Sequence, residues 1–197
     1  MLLDKLKNYR VVLASNSPRR KELLADLGID FEVRVIKGVD ESYPSDLPAM
    51  EIAEYISHKK AEAHKQLMAD NEIIITADTV VILDNEVMGK PVDDADACRM
   101  LRELSGKTHK VVTGVTITTA QRTSSFSAVS DVEFAELADD DISYYVERYK
   151  PLDKAGAYGI QEWIGCMGVR HINGSFYNVM GLPLHRLYAE LERVISY

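Results

Sequence analysis

Two kinds of hydrophobic pattern follow one another along the chain. Alternating or continuous apolar runs predict β-strands, and apolar residues three or four positions apart predict amphipathic helices. The predicted strands span residues 11–15, 31–36, 73–83, 110–119 and 125–136. The predicted helices span residues 18–27, 49–69, 93–104, 139–148 and 183–195. A polar loop at 37–48 and a glycine-rich, irregular segment at 151–174 complete the pattern. The alternation predicts an α/β fold.

The composition narrows the class of protein. The 197 residues are 46% hydrophobic and 27% charged, which is a globular composition, and the length suits one domain or two closely joined lobes. A formal net charge of −8 disfavours sequence-independent binding to nucleic acid or to an anionic membrane. Cys98 and Cys166 lie in no metal-ligand spacing. No apolar run reaches the ~20 residues of a membrane span, and the N-terminal stretch is no signal peptide. We therefore expect a cytoplasmic protein without nucleic-acid or membrane partners.

The stretch LASNSPRR, residues 13–20, predicts an anion site. Ser17 suits a helix N-cap and Pro18 the first helical position, so Arg19 and Arg20 fall in the first turn. Cations are unfavourable at this positive end of the helix dipole unless an anion binds there. A phosphate would meet free N–H groups and two guanidinium groups, with the Ser15 hydroxyl beside them. The alternative is a solvated arginine pair that contacts local acids such as Glu22.

Asp78 interrupts the most apolar segment of the chain, where a desolvated carboxylate is unfavourable unless it is paired. One interpretation is a general base or a Mg²⁺ ligand beside phosphates. The other is an aspartate at a strand end that accepts backbone hydrogen bonds.

Three further residues are candidate ligand contacts. Lys90 follows Gly89, which lets a ligand approach the backbone, and its point charge suits phosphate. Lys60 lies on a predicted helix, where a solvated face is the alternative. Gln161 ends the stretch DKAGAYGIQ and offers both a donor and an acceptor, as recognition of a base edge requires, although an ordinary loop is also possible. The sequence contains no GxxxxGK[ST], GxGxxG, HExxH or GxSxG motif.

Taken together, these segments resemble the Maf family of nucleoside triphosphate pyrophosphatases. The matching segments, in chain order, are LASNSPRRKELL (13–24), VDE (39–41), KKA (59–61), TADTVV (76–81), GKP (89–91), LSG (104–106), TGV (113–115), DKAGAYGIQ (153–161) and INGSFYNVMGLPL (172–184). One departure follows Gln161. The branch of the family that has the AYGIQ form usually continues with glycine, whereas this chain has Glu162-Trp163.

The resemblance implies a single domain over residues 1–197 with an elongated, mixed β-sheet flanked by helices, as two lobes around a deep cleft, and a homodimer. It implies hydrolysis of a nucleoside triphosphate to the monophosphate and pyrophosphate with a divalent cation, Mg²⁺ or Mn²⁺. The AYGIQ form is similar to the branch that acts on dTTP and UTP, and modified pyrimidine nucleotides are further candidates. The alternative is a nucleotide-binding regulator of cell division and septum formation that does not hydrolyse its ligand.

The resemblance also implies roles for individual residues. Asp78 matches the catalytic proton acceptor, accompanied by Lys60, Lys90 and Glu41. Asp78 and Glu41 are the implied metal ligands. The implied substrate-binding residues are Ser15, Arg19, Arg20, Thr79 and Gln161, with Arg19, Thr79 and Gln161 linked to base selectivity.

Overall fold

The computed structural model describes residues 1–196. Its helices are α1 (Leu2–Leu6), α2 (Pro18–Asp26), α3 (Ala49–Lys65), α4 (Asp94–Leu104), α5 (Asp139–Tyr149), α6 (Trp163–Gly168), α7 (Phe176–Met180) and α8 (Leu184–Ile195). Its strands are β1 (Arg10–Leu13), β2 (Glu32–Val33), β3 (Glu72–Leu83), β4 (Glu86–Met88), β5 (Thr108–Thr118), β6 (Thr123–Phe134) and β7 (Val169–Asn173). No helix within residues 1–196 is both long and apolar enough to cross a bilayer.

The strands of this region form one mixed sheet, in the order β2-β1-β3-β5-β6-β7, with β4 paired to β3. Strand β1 runs parallel to both β2 and β3. The β3–β4 and β6–β7 pairs are antiparallel. The α/β class and the mixed sheet predicted from the sequence are confirmed.

Three predicted segments need correction. The strand predicted at 31–36 is reduced to Glu32–Val33, because its partner β1 ends at Leu13 and offers no further backbone to pair with. The helix predicted at 49–69 ends at Lys65, and the next apolar residue, Leu67, is exposed and packs against nothing that would extend it. The segment predicted as irregular at 151–174 contains α6 and β7. Strand β7 has mostly exposed side chains and is defined by backbone pairing to β6, which no hydrophobic period reveals.

Contacts divide the chain into two compact units. The first comprises residues 1–78, 113–128 and the segment from Gly181 onward, and the second comprises residues 79–112 and 129–180. Strands β3, β5 and β6 each contribute residues to both units.

The core of the first unit includes the parallel pair β1–β3. Val11 pairs with Ile73 and Leu13 with Ile75, and these four residues are at most 3% exposed. Strand β1 ends at Leu13, which pairs with Ile75, whereas β3 continues to Leu83. The turn after β1 therefore lies beside the part of β3 that leads to Asp78.

Local signals define the helices that follow these strands. The Ser17 hydroxyl caps α2 by accepting from the Arg20 backbone N–H at 3.5 Å, with Pro18 at the first position. Asp93 caps α4 by accepting from the Asp96 N–H at 2.8 Å.

The backbone of α3 lies directly on Gly114 of β5. A Cβ at this position would collide with the backbone of Ala53 and Glu54, and neither can move away as a flexible side chain could. We expect Gly114→Ala to lower the free energy of unfolding by more than about 2 kcal/mol, the range of overpacked core substitutions. Urea unfolding measures this. Gly89→Ala is the control, because no atom lies within 4 Å of its added Cβ. Equal stability of the two variants would contradict the close packing.

The core of the second unit holds a titratable ring, His109. Its Nε2 lies 2.7 Å from the Tyr158 hydroxyl, and the Phe134 ring packs edge-on against it. Burial lowers the pKa of His109 to about 4 from an ordinary value of 6.5. Between pH 6.5 and about pH 4, His109 is therefore protonated in the unfolded chain but neutral in the folded one. The stabilisation that comes from the neutral ring is complete above pH 6.5 and is lost as the pH falls toward about 4.

This shift predicts a specific acid sensitivity. Between about pH 7.5 and about pH 5, His109 should account for roughly 2 kcal/mol of lost unfolding free energy. His109→Gln removes this contribution, so its stability should fall less over the same interval in urea unfolding. His171→Gln, at an exposed position of β7, is the control and should keep the wild-type dependence. An unchanged pH dependence in His109→Gln would contradict the assignment.

Candidate active site

An ammonium group shared by two carboxylates is the centre of the candidate site. Lys60 Nζ lies 2.8 Å from Asp78 Oδ1 and 3.2 Å from Glu41 Oε1. Lys60 lies on α3, Asp78 on β3, and Glu41 in the loop between β2 and α3. The structure thus brings together three of the four predicted catalytic residues, all within the first unit.

The two interpretations left open for Asp78 and Lys60 can now be compared with the geometry. Asp78 and Thr79 are the two half-buried positions in the otherwise buried β3. The Asp78 and Lys60 side chains are each 15% exposed, and each compensates the charge of the other. The solvated-face alternative for Lys60 is wrong, and Asp78, in the middle of β3, is paired with a cation.

The loop that carries Glu41 is held by its neighbour Asp40. One Asp40 oxygen accepts from the Ser42 backbone N–H at 2.9 Å, and the other accepts from the Ser42 hydroxyl and from the Lys59 ammonium. Lys59 also donates to the Ser42 carbonyl at 2.8 Å. The Lys59 hydrogen bond, followed by the Ser42 hydrogen bonds, holds the pKa of Asp40 well below its usual range. These contacts fasten the loop to α3 beside Lys60.

The Arg20 guanidinium binds backbone carbonyls of the protein itself. Its Nε donates to the Gly181 carbonyl at 2.8 Å, and one terminal nitrogen donates to the Ala77 carbonyl at 2.9 Å. That nitrogen also lies 3.5 Å from the Ser15 hydroxyl. Burial lowers the pKa of the Arg20 guanidinium, and the nearby Asp78 carboxylate opposes the shift. Arg20 therefore links α2 to the backbone immediately before Asp78.

Ser15 belongs to the same turn. Its side chain is buried, and its hydroxyl accepts from the Ser17 backbone N–H at 3.2 Å. Arg19 lies close enough for its charge to lower the pKa of Arg20. Together with Glu41, Lys60 and Asp78, the predicted residues Ser15, Arg19 and Arg20 lie in the first unit.

The remaining predicted residues, Thr79, Lys90 and Gln161, belong to the second unit. Lys90 and Gln161 are exposed, and Thr79 is half-buried on β3. The Gly156 N–H donates to the Gly89 carbonyl at 3.1 Å, which joins the turn at Lys90 to the segment that leads to Gln161.

Sequence reasoning missed several residues that hold the site. Asp40 has the sequence signal of an Asx-turn, an aspartate two residues before the backbone N–H that it binds. Lys59 carries no such signal, because its partner lies 19 residues earlier in the chain.

The donor set for a divalent cation is limited to carboxylates that also contact Lys60. Within residues 1–196, no group of three or more His, Cys, Asp and Glu side chains could hold a metal ion. Mg²⁺ in nucleotide enzymes is commonly bound by one or two carboxylates together with substrate phosphates and water. The carboxylates at this site, Asp78 and Glu41, match that donor chemistry in type and number, and both contact the Lys60 ammonium in this structure.

Comparisons with known proteins identify the family and the fold. The family described as Maf-like protein matches residues 10–194. A Bacteroides thetaiotaomicron protein named dTTP/UTP pyrophosphatase is 56% identical over 98% of this chain and 100% of its own length. A Phocaeicola vulgatus protein of the same name is 58% identical over the same shares. The structure of the Staphylococcus aureus Ham1 protein superposes with a TM-score of 0.54 at 19% identity, over 94% of this chain and 99% of that one, and supports the fold.

The hydrogen bonds of Arg20 predict a structural effect in the absence of any ligand. Arg20→Ala leaves the Ala77 and Gly181 carbonyls without this donor and should lower the unfolding free energy by about 2 kcal/mol. Lys21→Ala, one position along α2, is the matched control and should change it by less than about 0.5 kcal/mol. Urea unfolding of the nucleotide-free protein measures both. Identical stabilities would mean that Arg20 does not hold the Ala77 backbone.

Proposed function

This chain belongs to the Maf family, and from that premise we propose that it is an enzyme that hydrolyses dTTP and UTP to the monophosphate and pyrophosphate. The observation that carries the proposal is the Lys60 ammonium within 3.2 Å of both Asp78 and Glu41. The family match over residues 10–194 and the names of relatives at 56% and 58% identity support the substrate class.

Asp78 is the proposed general base. Its carboxylate is 15% exposed, so it can accept a proton from a water molecule that attacks the α-phosphorus. Lys60 places a positive charge beside both carboxylates, which reduces the repulsion that a polyphosphate meets on approach. Glu41 contributes the second carboxylate, held in place by the Asp40 and Lys59 contacts.

The proposed cofactor is a divalent cation, Mg²⁺ or Mn²⁺, and Asp78 and Glu41 are the residues that would hold it. When bound, such a cation offsets negative charge on the leaving pyrophosphate and lowers the pKa of a coordinated water. The chain supplies no third carboxylate or histidine to this donor set within residues 1–196, so the substrate phosphates would complete the coordination.

The proposed substrate-binding residues fall into two groups by role. Ser15, Arg19 and Arg20 at the start of α2 and Lys90 after β4 are proposed to contact the triphosphate, where N–H groups and positive charges attract anions. Thr79 and Gln161 are proposed to read the base, together with Arg19. The exposed amide of Gln161 provides both a donor and an acceptor.

The wider setting of the enzyme is also proposed. We infer a single functional domain over residues 1–197, a homodimer, and a cytoplasmic location without nucleic-acid or membrane partners. Size measurement by light scattering tests the dimer independently of the reaction.

Product analysis tests the reaction. Purified protein is incubated with dTTP, UTP, CTP, GTP and 7-methyl-GTP in the presence of Mg²⁺ or Mn²⁺. We expect pyrophosphate and monophosphate from dTTP and UTP. Asp78→Asn should remain folded and lose about 10²–10⁴-fold in turnover, the usual contribution of a general base. Asp30→Asn, at an exposed position of the first unit, is the control and should keep the wild-type rate.

Other products would assign other functions. Orthophosphate instead of pyrophosphate would mean an ordinary phosphatase. Tight nucleotide binding without turnover would favour the regulator of cell division. A wild-type rate in Asp78→Asn would exclude Asp78 as the base.

A further inference from the structure

The segment that ends at Gln161 is packed within the second unit, although the Gln161 side chain is exposed. Ile160, immediately before it, is 5% exposed, and the Glu162 side chain, immediately after it, is 19% exposed. The Glu162 N–H donates to the Gly159 carbonyl at 3.0 Å, which closes a turn around residues 159–162. The Gln161 side chain is thus exposed, while the residues before and after it are fixed by packing. Such an arrangement lowers the entropy lost when the amide binds a ligand.

The Glu162 carboxylate contacts two side chains, and one of these binds the backbone of the same segment. One oxygen lies 3.2 Å from the Lys154 ammonium, near the start of the segment. The other accepts a short hydrogen bond from the Tyr145 hydroxyl of α5. That hydroxyl also accepts from the Gly159 N–H at 3.0 Å. The hydrogen-bonded pair of Glu162 and Tyr145 therefore contacts both Lys154 and Gly159.

The protonation of Tyr145 suits this role. Burial and the neighbouring Glu162 charge raise the pKa of the Tyr145 hydroxyl above its usual value. The hydroxyl therefore keeps its proton and remains a donor to the carboxylate across the physiological pH range.

The turn packs closely against the Glu162 side chain and the following helix. A Cβ at Gly159 would lie 2.7 Å from the Glu162 carboxyl carbon, so the carboxylate occupies the space beside this glycine. A Cβ at Gly165 would collide with the Ile160 carbonyl. Trp163 packs edge-on against Tyr144, with ring centroids 5.0 Å apart, which adds a second contact between this segment and α5.

We propose that Glu162 is a positioning residue that holds Gln161 in the orientation that selects the base, with Tyr145 and Lys154 as its partners. This inference rests on the base-reading role proposed above for Gln161. Glu162 acts through Gln161 and not on the reacting phosphates, so its removal should change which base is accepted and leave the chemical step intact.

The test compares kcat and KM for dTTP and CTP in the wild type, Glu162→Gln and Gln161→Ala. Glu162→Gln keeps the size of the side chain and removes its charge. We expect the preference for dTTP over CTP to fall about tenfold, through a raised KM for dTTP, with kcat within about twofold of the wild type. Gln161→Ala should shift the preference in the same direction. Glu147→Gln, at an exposed position of α5, is the matched control and should leave the preference unchanged.

A second variant separates positioning from general stability. Tyr145→Phe removes the bridging hydroxyl and should lower the same preference. The double variant with Glu162→Gln should be no worse than the more affected single variant, because both changes break one network. If Glu162→Gln does not fold, Tyr145→Phe alone decides the question.

The outcomes distinguish this inference from the function on which it rests. A wild type that releases pyrophosphate from dTTP, combined with unchanged selectivity in both variants, would overturn the positioning role alone. Equal losses for every triphosphate, with a lowered Tm, would show a merely structural role. A wild type that hydrolyses neither dTTP nor UTP would overturn the proposed function and this inference with it.

Discussion

The Lys60 ammonium connects three parts of the first unit that are distant in sequence. It joins α3 to β3 through Asp78, 18 residues away, and to the preceding loop through Glu41. A half-buried carboxylate in an apolar strand is unfavourable without a cation, and a half-buried lysine is unfavourable without an anion. The ion pair with Asp78 thus holds α3 against β3. The direct contact between the α3 backbone and Gly114 of β5 sets the distance between the helix and the sheet.

A second ion pair supports the same strand at its start. Glu72 is 1% exposed and is bound by Arg34 through two hydrogen bonds, at 3.0 and 2.6 Å. The Arg34 hydrogen bond lowers the pKa of Glu72. The buried His64 ring lies between the two pairs, 2.8 Å from the Lys60 carbonyl and 3.2 Å from the Arg34 carbonyl. Removal of one partner from such a pair leaves an uncompensated charge, so these contacts specify one arrangement of strand and helix.

Arg20, at the start of α2, has both a structural contact and an electrostatic effect. The Nε of Arg20 donates to the Gly181 carbonyl, and one terminal nitrogen donates to the Ala77 carbonyl. It therefore holds the backbone next to the proposed base, in addition to the positive charge that it brings to the helix N-terminus. The dipole argument explains why a cation there favours an anionic ligand, and the carbonyl acceptors explain why the cation is tolerated without one.

Local chemistry determined much of this protein from sequence alone. The Ser17-Pro18 cap and the apolar periods of β3, β5 and α8 act over a few residues, so they could be recognised without tertiary contacts. Residue type and position in the pattern identified Asp78 and Lys60 as candidates, and the family resemblance added Glu41. Only the tertiary structure decided that Lys60 is shared by two carboxylates, that Arg20 donates to a carbonyl 161 residues away, and that Glu162 is bound by Tyr145. Strands β2 and β7 also escaped accurate prediction, because their stability comes from backbone pairing with a neighbour and not from their own side chains. Contacts of this kind depend on which strands and helices the topology brings together, and a one-dimensional pattern does not contain that information.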